Sequence, residues 1–213
     1  MNTLLALLAL GFSNPTFAAD PNQPHEHQGK ATKFTNPTRT KLSAEDSAKL
    51  KTGEPVRKQV KKGSGGRGVA IMDIAADEKT IWSVITDFNS YPNWIDKLSE
   101  CEIYKKQGNH IFSRFVISAA LMKIEYYIDH TYHPDKGYMT WHLDYSRQSD
   151  LDDSTGYWLT YPSPDDPTKT RLEYSIDLRT KGMIPKFVEN MLADQGLEDG
   201  TKWVKKQSEK RAK

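Results

Sequence analysis

The chain has 213 residues, of which 37% are hydrophobic and 27% charged, a globular composition with room for one sizeable core or two small ones. Its 30 Lys and Arg and 28 Asp and Glu leave a net charge of +2, and the cationic surplus sits early, between Gln28 and Gly66. The remainder is not basic, which excludes a nucleic-acid-binding body, and the single cysteine, Cys101, excludes an intramolecular disulfide.

The opening "MNTLLALLALGFSNPTFAAD" reads as a secretory leader. Leu4 to Phe12 is apolar but too short to span a bilayer. Thr16 and Ala18 fit the small-x-small cleavage rule, which places the cut after Ala18. The segment before the apolar run carries no Lys or Arg beyond the amino terminus. No other run is long and apolar enough for a membrane helix. The expected location is periplasmic or secreted.

Residues 19–42 carry three prolines and little apolar periodicity, and read as a flexible basic arm. The arm is either a solvated linker or a contact for anionic lipid heads or an acidic partner. His25 and His27 read as a solvated pair rather than a metal site. Residues 43–213 form a single domain. Ser43 and Asp46 resemble a capping box, and Gly53 ends that helix. "EPVRKQV" and "GVAIMDI" read as strands around the loop "KKGSGGRG", which lacks the spacing of a phosphate loop.

"AADEKTIWSVITDF" reads as a helix with Asp77 and Glu78 in its first turn and Ile81, Trp82, Val84 and Ile85 on its apolar side. "DFNSYPNWID" turns the chain through a second short helix. The period then changes to two. Ile124, Tyr126, Ile128, His130 and Tyr132 share one face of a strand; Met139, Trp141, Leu143 and Tyr145 share one face of the next; Leu172, Tyr174, Ile176 and Leu178 do so in a third. Such alternation implies antiparallel strands with one covered and one wet face. Asp129, Asp144 and Asp177 fall on the wet face. "CEIYKK", "HIFSRFVIS" and "STGYWLTY" add strands, and "SDLDDS" reads as a solvated turn without the calcium-loop pattern. A long helix follows Pro185, with Leu192, Gly196, Gly200 and Trp203 within an arc of about 80°. Its two interior glycines serve either close packing on the sheet or a hollow for a ligand.

The run "IAADEKTIWSVITDFNSYPNWIDKLSECEIYKK", with Trp82, Asp87-Phe88, Tyr91-Pro92 and Trp94 ahead of a strand, resembles the START-like superfamily. That superfamily includes pollen-allergen-type binders, polyketide cyclase/aromatase-like proteins, coenzyme Q-binding proteins and lipid transfer domains. The order of elements matches from about Gly53 to Lys206. The resemblance implies an α+β helix-grip fold: a curved antiparallel sheet of six to seven strands around a long C-terminal helix, with two short helices after the first strand. It also implies a mostly apolar cavity between sheet and helix. Tyr91 and Trp94 would close one end of that cavity or seat the short helix on the sheet edge.

The covered faces carry Tyr126, Tyr132, Trp141, Tyr145, Tyr157 and Tyr174. Buried tyrosine hydroxyls need partners, so this many suggests a partly hydrated lining. With Trp94, Arg114, His130, Leu192, Gly196, Gly200 and Trp203 they make up the candidate ligand-binding set. His130 reads as a satisfied core histidine rather than a general base. Arg114 would pair with an anionic head-group or stand on the outer face. No catalytic triad, metal-ligand cluster or nucleotide motif is visible, and no cofactor or metal is implied. The expectation is a monomeric carrier of a small hydrophobic ligand (lipid, sterol-like or polycyclic), with transient contact to an anionic membrane surface and no nucleic acid. The alternatives are a polyketide cyclase/dehydratase-like enzyme using the same cavity and a protein-binding module.

Overall fold

The computed structural model describes residues 19–62, 65–119, 122–181 and 194–213. Helix α1 (Ala44–Lys51) opens on the expected capping box: Ser43 Oγ accepts from the Asp46 amide, and the Asp46 carboxylate accepts from the Ser43 amide. Strands β1 (Val56–Lys62) and β2 (Gly65–Ile74) follow. Gly65 to Gly68, expected in a loop, are already part of β2. Helix α2 (Glu78–Ile85) is capped by Asp77, whose side chain accepts from the Thr80 amide at 2.7 Å. Pro92 falls in a short 3-10 helix, Phe88–Asn93, that turns the chain into the sheet.

Strands β3 (Leu98–Gln107), β4 (His110–Ala119), β5 (Met122–His133), β6 (Tyr138–Leu143), β7 (Leu151–Pro162) and β8 (Thr170–Thr180) complete an eight-stranded sheet. Its order is β1-β2-β8-β7-β6-β5-β4-β3, with every neighbouring pair antiparallel. The expected sheet of six to seven strands therefore has eight. The last helix, α3 (Asp194–Arg211), covers the inner face together with α2. The two short helices expected after the first strand, α2 and the 3-10 helix, follow the second strand instead, and with the long terminal helix against a single antiparallel sheet they form the expected helix-grip arrangement.

The inner face builds the core. Ala70, Met72 and Ile74 of β2, Leu172 of β8, Met139 and Leu143 of β6 and Ile128 of β5 are buried with Ile81, Val84 and Ile85 of α2 and Val204 of α3. Gly68 lets α3 come close: a Cβ there would lie 2.6 Å from Leu197 Cδ1.

The outer face is not the wet face the alternation implied. Residues 19–42, expected as a flexible arm, lie across it as a strap. The Lys30 and Ala31 amides donate to Asp153 Oδ2 at 2.6 and 2.7 Å. Phe34 packs edge-on against Tyr157 at 5.0 Å, and the Thr40 amide and hydroxyl donate to Glu173. His25, expected in solvent, is 4% exposed; its Nε2 hydrogen-bonds the Asp152 carbonyl at 2.9 Å, and the Ser149 amide donates to its Nδ1 at 3.3 Å. "SDLDDS" is not a solvated turn either. β7 begins at Leu151, and Asp153 is fully buried beneath the strap. A buried carboxylate is tolerated when its oxygens are filled, and Asp153 also accepts from the Tyr145 hydroxyl and the Ser154 amide.

Candidate functional site

Alternation on β4, β5, β6, β7 and β8 sends one aromatic layer inward. Tyr126 stacks on Phe115 across the β4–β5 pair, centroids 5.2 Å apart and planes 6° apart. Tyr174 stacks on Trp141 at 5.5 Å and meets Trp158 at 4.4 Å. Trp158 in turn reaches Trp203 on α3 at 6.4 Å. These rings form a continuous wall facing the helix.

Part of this wall is open. Tyr126, Tyr174, Ile117 and Ile176 pack against the buried core yet keep partial exposure. Burial still raises the hydroxyl pKa of Tyr126 and of Tyr174. Neither hydroxyl makes a hydrogen bond among the described residues, an arrangement that favours a ligand or water with an acceptor there. Around them, Ile124, Leu151 and Leu178 form a second apolar cluster at the end of the sheet away from α2.

The titratable groups facing inward are muted. His130 lies between Phe88 at 5.0 Å and Phe115 at 6.1 Å. Its Nδ1 lies 3.3 Å from the Ile111 carbonyl and 3.3 Å from Ser113 Oγ; the carbonyl can only accept, so that nitrogen carries the proton toward it. Burial lowers its pKa to about 3, against the opposing effect of that hydrogen bond. The imidazole is neutral at physiological pH, a satisfied core histidine as expected. Burial also pushes the Cys101 thiol up to about 12, so it is a packing group and not a thiolate.

The corner after α2 is built on α3. Tyr91 is buried, donates its hydroxyl to the Ile85 carbonyl and meets Trp203 edge-on at 4.6 Å. Trp94 stacks on Trp203, and the Arg211 guanidinium lies 5.3 Å over the Trp94 ring. Tyr132 packs against Trp82 at 4.9 Å, and the Trp82 indole N–H donates to Thr160 Oγ1 at 2.9 Å.

Three candidate residues lie elsewhere. Arg114 stands on the outer face, where its guanidinium makes two bonds to Glu125 at 2.7 and 2.9 Å and one to Glu100 at 2.7 Å; it has no donors aimed into the interior. Tyr157 also points outward, into a cluster with Tyr138, Leu159 and Tyr161 under Phe34. Tyr145 follows the end of β6, where the alternation lapses, and sits beneath the strap with its hydroxyl 2.8 Å from Asp153. Gly196 and Gly200 lie within α3, and Leu192 lies outside the described residues.

The wall also contains residues that sequence reasoning did not select: Phe115, Ile117, Trp158 and Ile176. Trp158 pairs in register with Tyr174, so the phase of β8 would have pointed to it. The carboxylates Asp129 and Asp144 are on the outer face as expected, but each is 9% exposed rather than wet. Asp129 bonds His110 at 2.8 Å, and Asp144 accepts from Tyr104 at 2.7 Å. Among the described residues no group of three or more His, Cys, Asp or Glu is placed to hold a metal.

A family model described as polyketide cyclase / dehydrase and lipid transport matches residues 74–200. The chain belongs to this family. The matched span runs from the end of β2 into α3 and contains most of the aromatic wall. Among solved structures, the family member is similar to the Zhui aromatase/cyclase from a Streptomyces species at 13% identity, with a TM-score of 0.58 over 74% of this chain and 97% of that one. A STAR-related lipid transfer protein from Xanthomonas axonopodis gives 13% identity and a TM-score of 0.54, over 71% and 98%. A START superfamily protein from Mycobacterium smegmatis gives 20% and 0.51, over 74% and 96%. These likenesses establish the shared START-like fold. No curated protein matches the chain.

Proposed function

We propose that this family member is an exported carrier that binds a hydrophobic ligand (lipid, sterol-like or polycyclic) between the aromatic wall and α3. The observation that carries this reading is the pair of deep, partly exposed rings, Tyr126 and Tyr174, whose hydroxyls have no partner among the described residues. Apolar burial at about 25 cal/mol per Å2 would drive uptake, and the hydroxyls would select a ligand with one or two acceptor oxygens. Among the described residues the interior offers a neutral imidazole and a neutral thiol but no carboxylate beside them. A cyclase would need an acid–base pair converging on its substrate, so this favours carriage over the cyclase reading.

Export is supported by the leader-like first 18 residues, with release at Ala19 into the periplasm or medium. Transient contact with an anionic membrane surface is supported by Lys202, Lys206 and Lys210, exposed at four-residue intervals along α3. The carrier acts as a monomer.

The test is mass spectrometry of an organic extract of the protein purified from its native host. A stoichiometric lipid or polycyclic compound, absent from a Tyr126→Ala/Tyr174→Ala variant of unchanged fold, is the expected result. Recovery of the same compound from both proteins removes it from this site, and turnover of a polyketide-like substrate by the wild type overturns the carrier reading.

A further inference from the structure

The strap does not seal the outer face everywhere. It is held at Phe34 by the Tyr157 ring and at Thr35, whose carbonyl accepts from the Tyr138 hydroxyl at 3.3 Å. The next hold is Thr40 on Glu173. Between these points residues 36–39 bridge over the sheet, and a groove of about 550 Å3 opens between them and strands β1 and β2. A volume of that order suits a small molecule.

The groove is amphipathic. Phe34, Val60, Val69 and Tyr157 give it apolar surface. Val60 is 68% exposed, the one exposed large hydrophobic among the described residues. Arg39 and Arg67 give it charge. The Arg39 guanidinium sits 4.2 Å over the Tyr161 ring and that of Arg67 5.0 Å over Phe34. A guanidinium resting its face on a ring keeps its in-plane N–H donors available to an anion. Neither arginine makes an ion pair among the described residues. The third cation, Lys58, is taken by Asp46 at 2.6 Å. No carboxylate lines the groove among the described residues. Glu173 is fully buried and holds the strap and the Tyr161 hydroxyl; Asp177, the register partner of Arg67, faces Arg179 at 3.8 Å. Two unneutralised guanidinium groups beside exposed apolar surface are complementary to one kind of molecule.

We propose that this groove is a second binding site, on the opposite face of the sheet from the interior, for a small anionic amphiphile. Its anionic head meets Arg39 and Arg67, and its apolar part covers Val60, Val69 and the Phe34 and Tyr157 rings. Arg39 belongs to the segment in which the chain's cationic surplus is concentrated, and Arg67 follows it directly. It does not rest on the carrier reading of the interior.

The test is methyl-resolved NMR of the full-length chain titrated with sodium decanoate, with 1-decanol and inorganic phosphate as comparisons. The expected result is saturable shifts of the Val60 and Val69 methyls with decanoate, with at least tenfold weaker responses to decanol and to phosphate. Arg39→Gln and Arg67→Gln should each weaken decanoate at these methyls by about tenfold, the loss of one charge-assisted contact. Trp141→Ala, on the inner face, should leave the same shifts in place. The proposal is overturned by unshifted Val60 and Val69 methyls, by wild-type affinity in the Arg39→Gln/Arg67→Gln double variant, or by phosphate alone matching decanoate. An acidic peptide that binds along the free edge of β1 more tightly than decanoate occupies the groove would overturn it as well.

Discussion

Trp94 and Trp203 stack with centroids 5.8 Å apart and planes 25° apart, joining the corner after α2 to the middle of α3. The corner residue is therefore a rest for the C-terminal helix, and Arg211 clamps it from above while bonding Asp87 and Ser83. The contact helps to fix the position of α3 over the aromatic wall.

Trp94→Ala should lower stability by about 1–2 kcal/mol, from the lost stack and the cation–π contact. A double-mutant cycle with Trp203→Leu in urea denaturation should return a coupling of at least about 0.5 kcal/mol, as contacting residues do. Strict additivity would mean that the two rings do not support each other.

On ligand affinity, Trp141→Ala and His130→Gln should part company. Trp141 is a wall residue stacked on Tyr174, and its truncation removes roughly 2–3 kcal/mol of apolar contact, about 30- to 150-fold in affinity. His130 is enclosed by Phe88 and Phe115, so glutamine there should retain most of the affinity. A lipid-binding titration of both variants beside wild type decides the matter. Full affinity in the Trp141 variant would take that ring out of the binding wall.

His130 should instead be visible in the pH dependence of stability. Its folded pKa, about 3, lies below the unfolded value of 6.5. The unfolded chain therefore binds the extra proton between those values, and the contribution of the neutral histidine is complete above pH 6.5 and lost as pH falls toward 3. The slope is about 1.4 kcal/mol per pH unit. His25, whose pKa is also lowered by burial, adds loss of the same sign. Between pH 6 and 5, above the carboxylate range, chemical denaturation of His130→Gln should show a shallower fall than wild type. Parallel curves would mean that His130 is hydrated in the native state.

The strap should be structural rather than loose. Asp153→Ala leaves the Lys30 and Ala31 amides without their acceptor, a loss of about 1–3 kcal/mol where they stay buried. The variant should be cut by protease within residues 19–42 at doses that leave wild type intact, while the sheet survives. Wild-type resistance would show that the other holds, at His25, Phe34, Thr35 and Thr40, suffice without Asp153.

Much of this architecture is legible before any coordinates. The capping box at Ser43, the helix carrying Trp82, and the phases of β5, β6 and β8 follow from caps and alternation. β7 does not, because both of its faces are aromatic or apolar: Trp158 points in, while Tyr157, Leu159 and Tyr161 point out under the strap. The rule that the polar face marks solvent fails where a distant segment covers the outer face. Arg114 is opaque for a related reason. Its partners Glu100 and Glu125 lie on the two flanking strands, and only cross-strand register brings them together. Tyr145 lies two residues past the end of β6, where alternation no longer assigns a face. The in-phase tyrosines Tyr126 and Tyr174 do pack on the inner core and keep partial exposure.

The strap also sets an order of events in folding. Its amides at Lys30 and Thr40 dock on Asp153 and Glu173, 123 and 133 residues further along. Such long closures carry a high entropic cost until the strands that reward them exist. The segment made early must therefore wait for β7 and β8, and until then Tyr138, Tyr157, Leu159 and Tyr161 stand bare on the growing sheet. The interval between sheet formation and strap closure is the time at which this chain is most exposed to self-association or to capture by a chaperone.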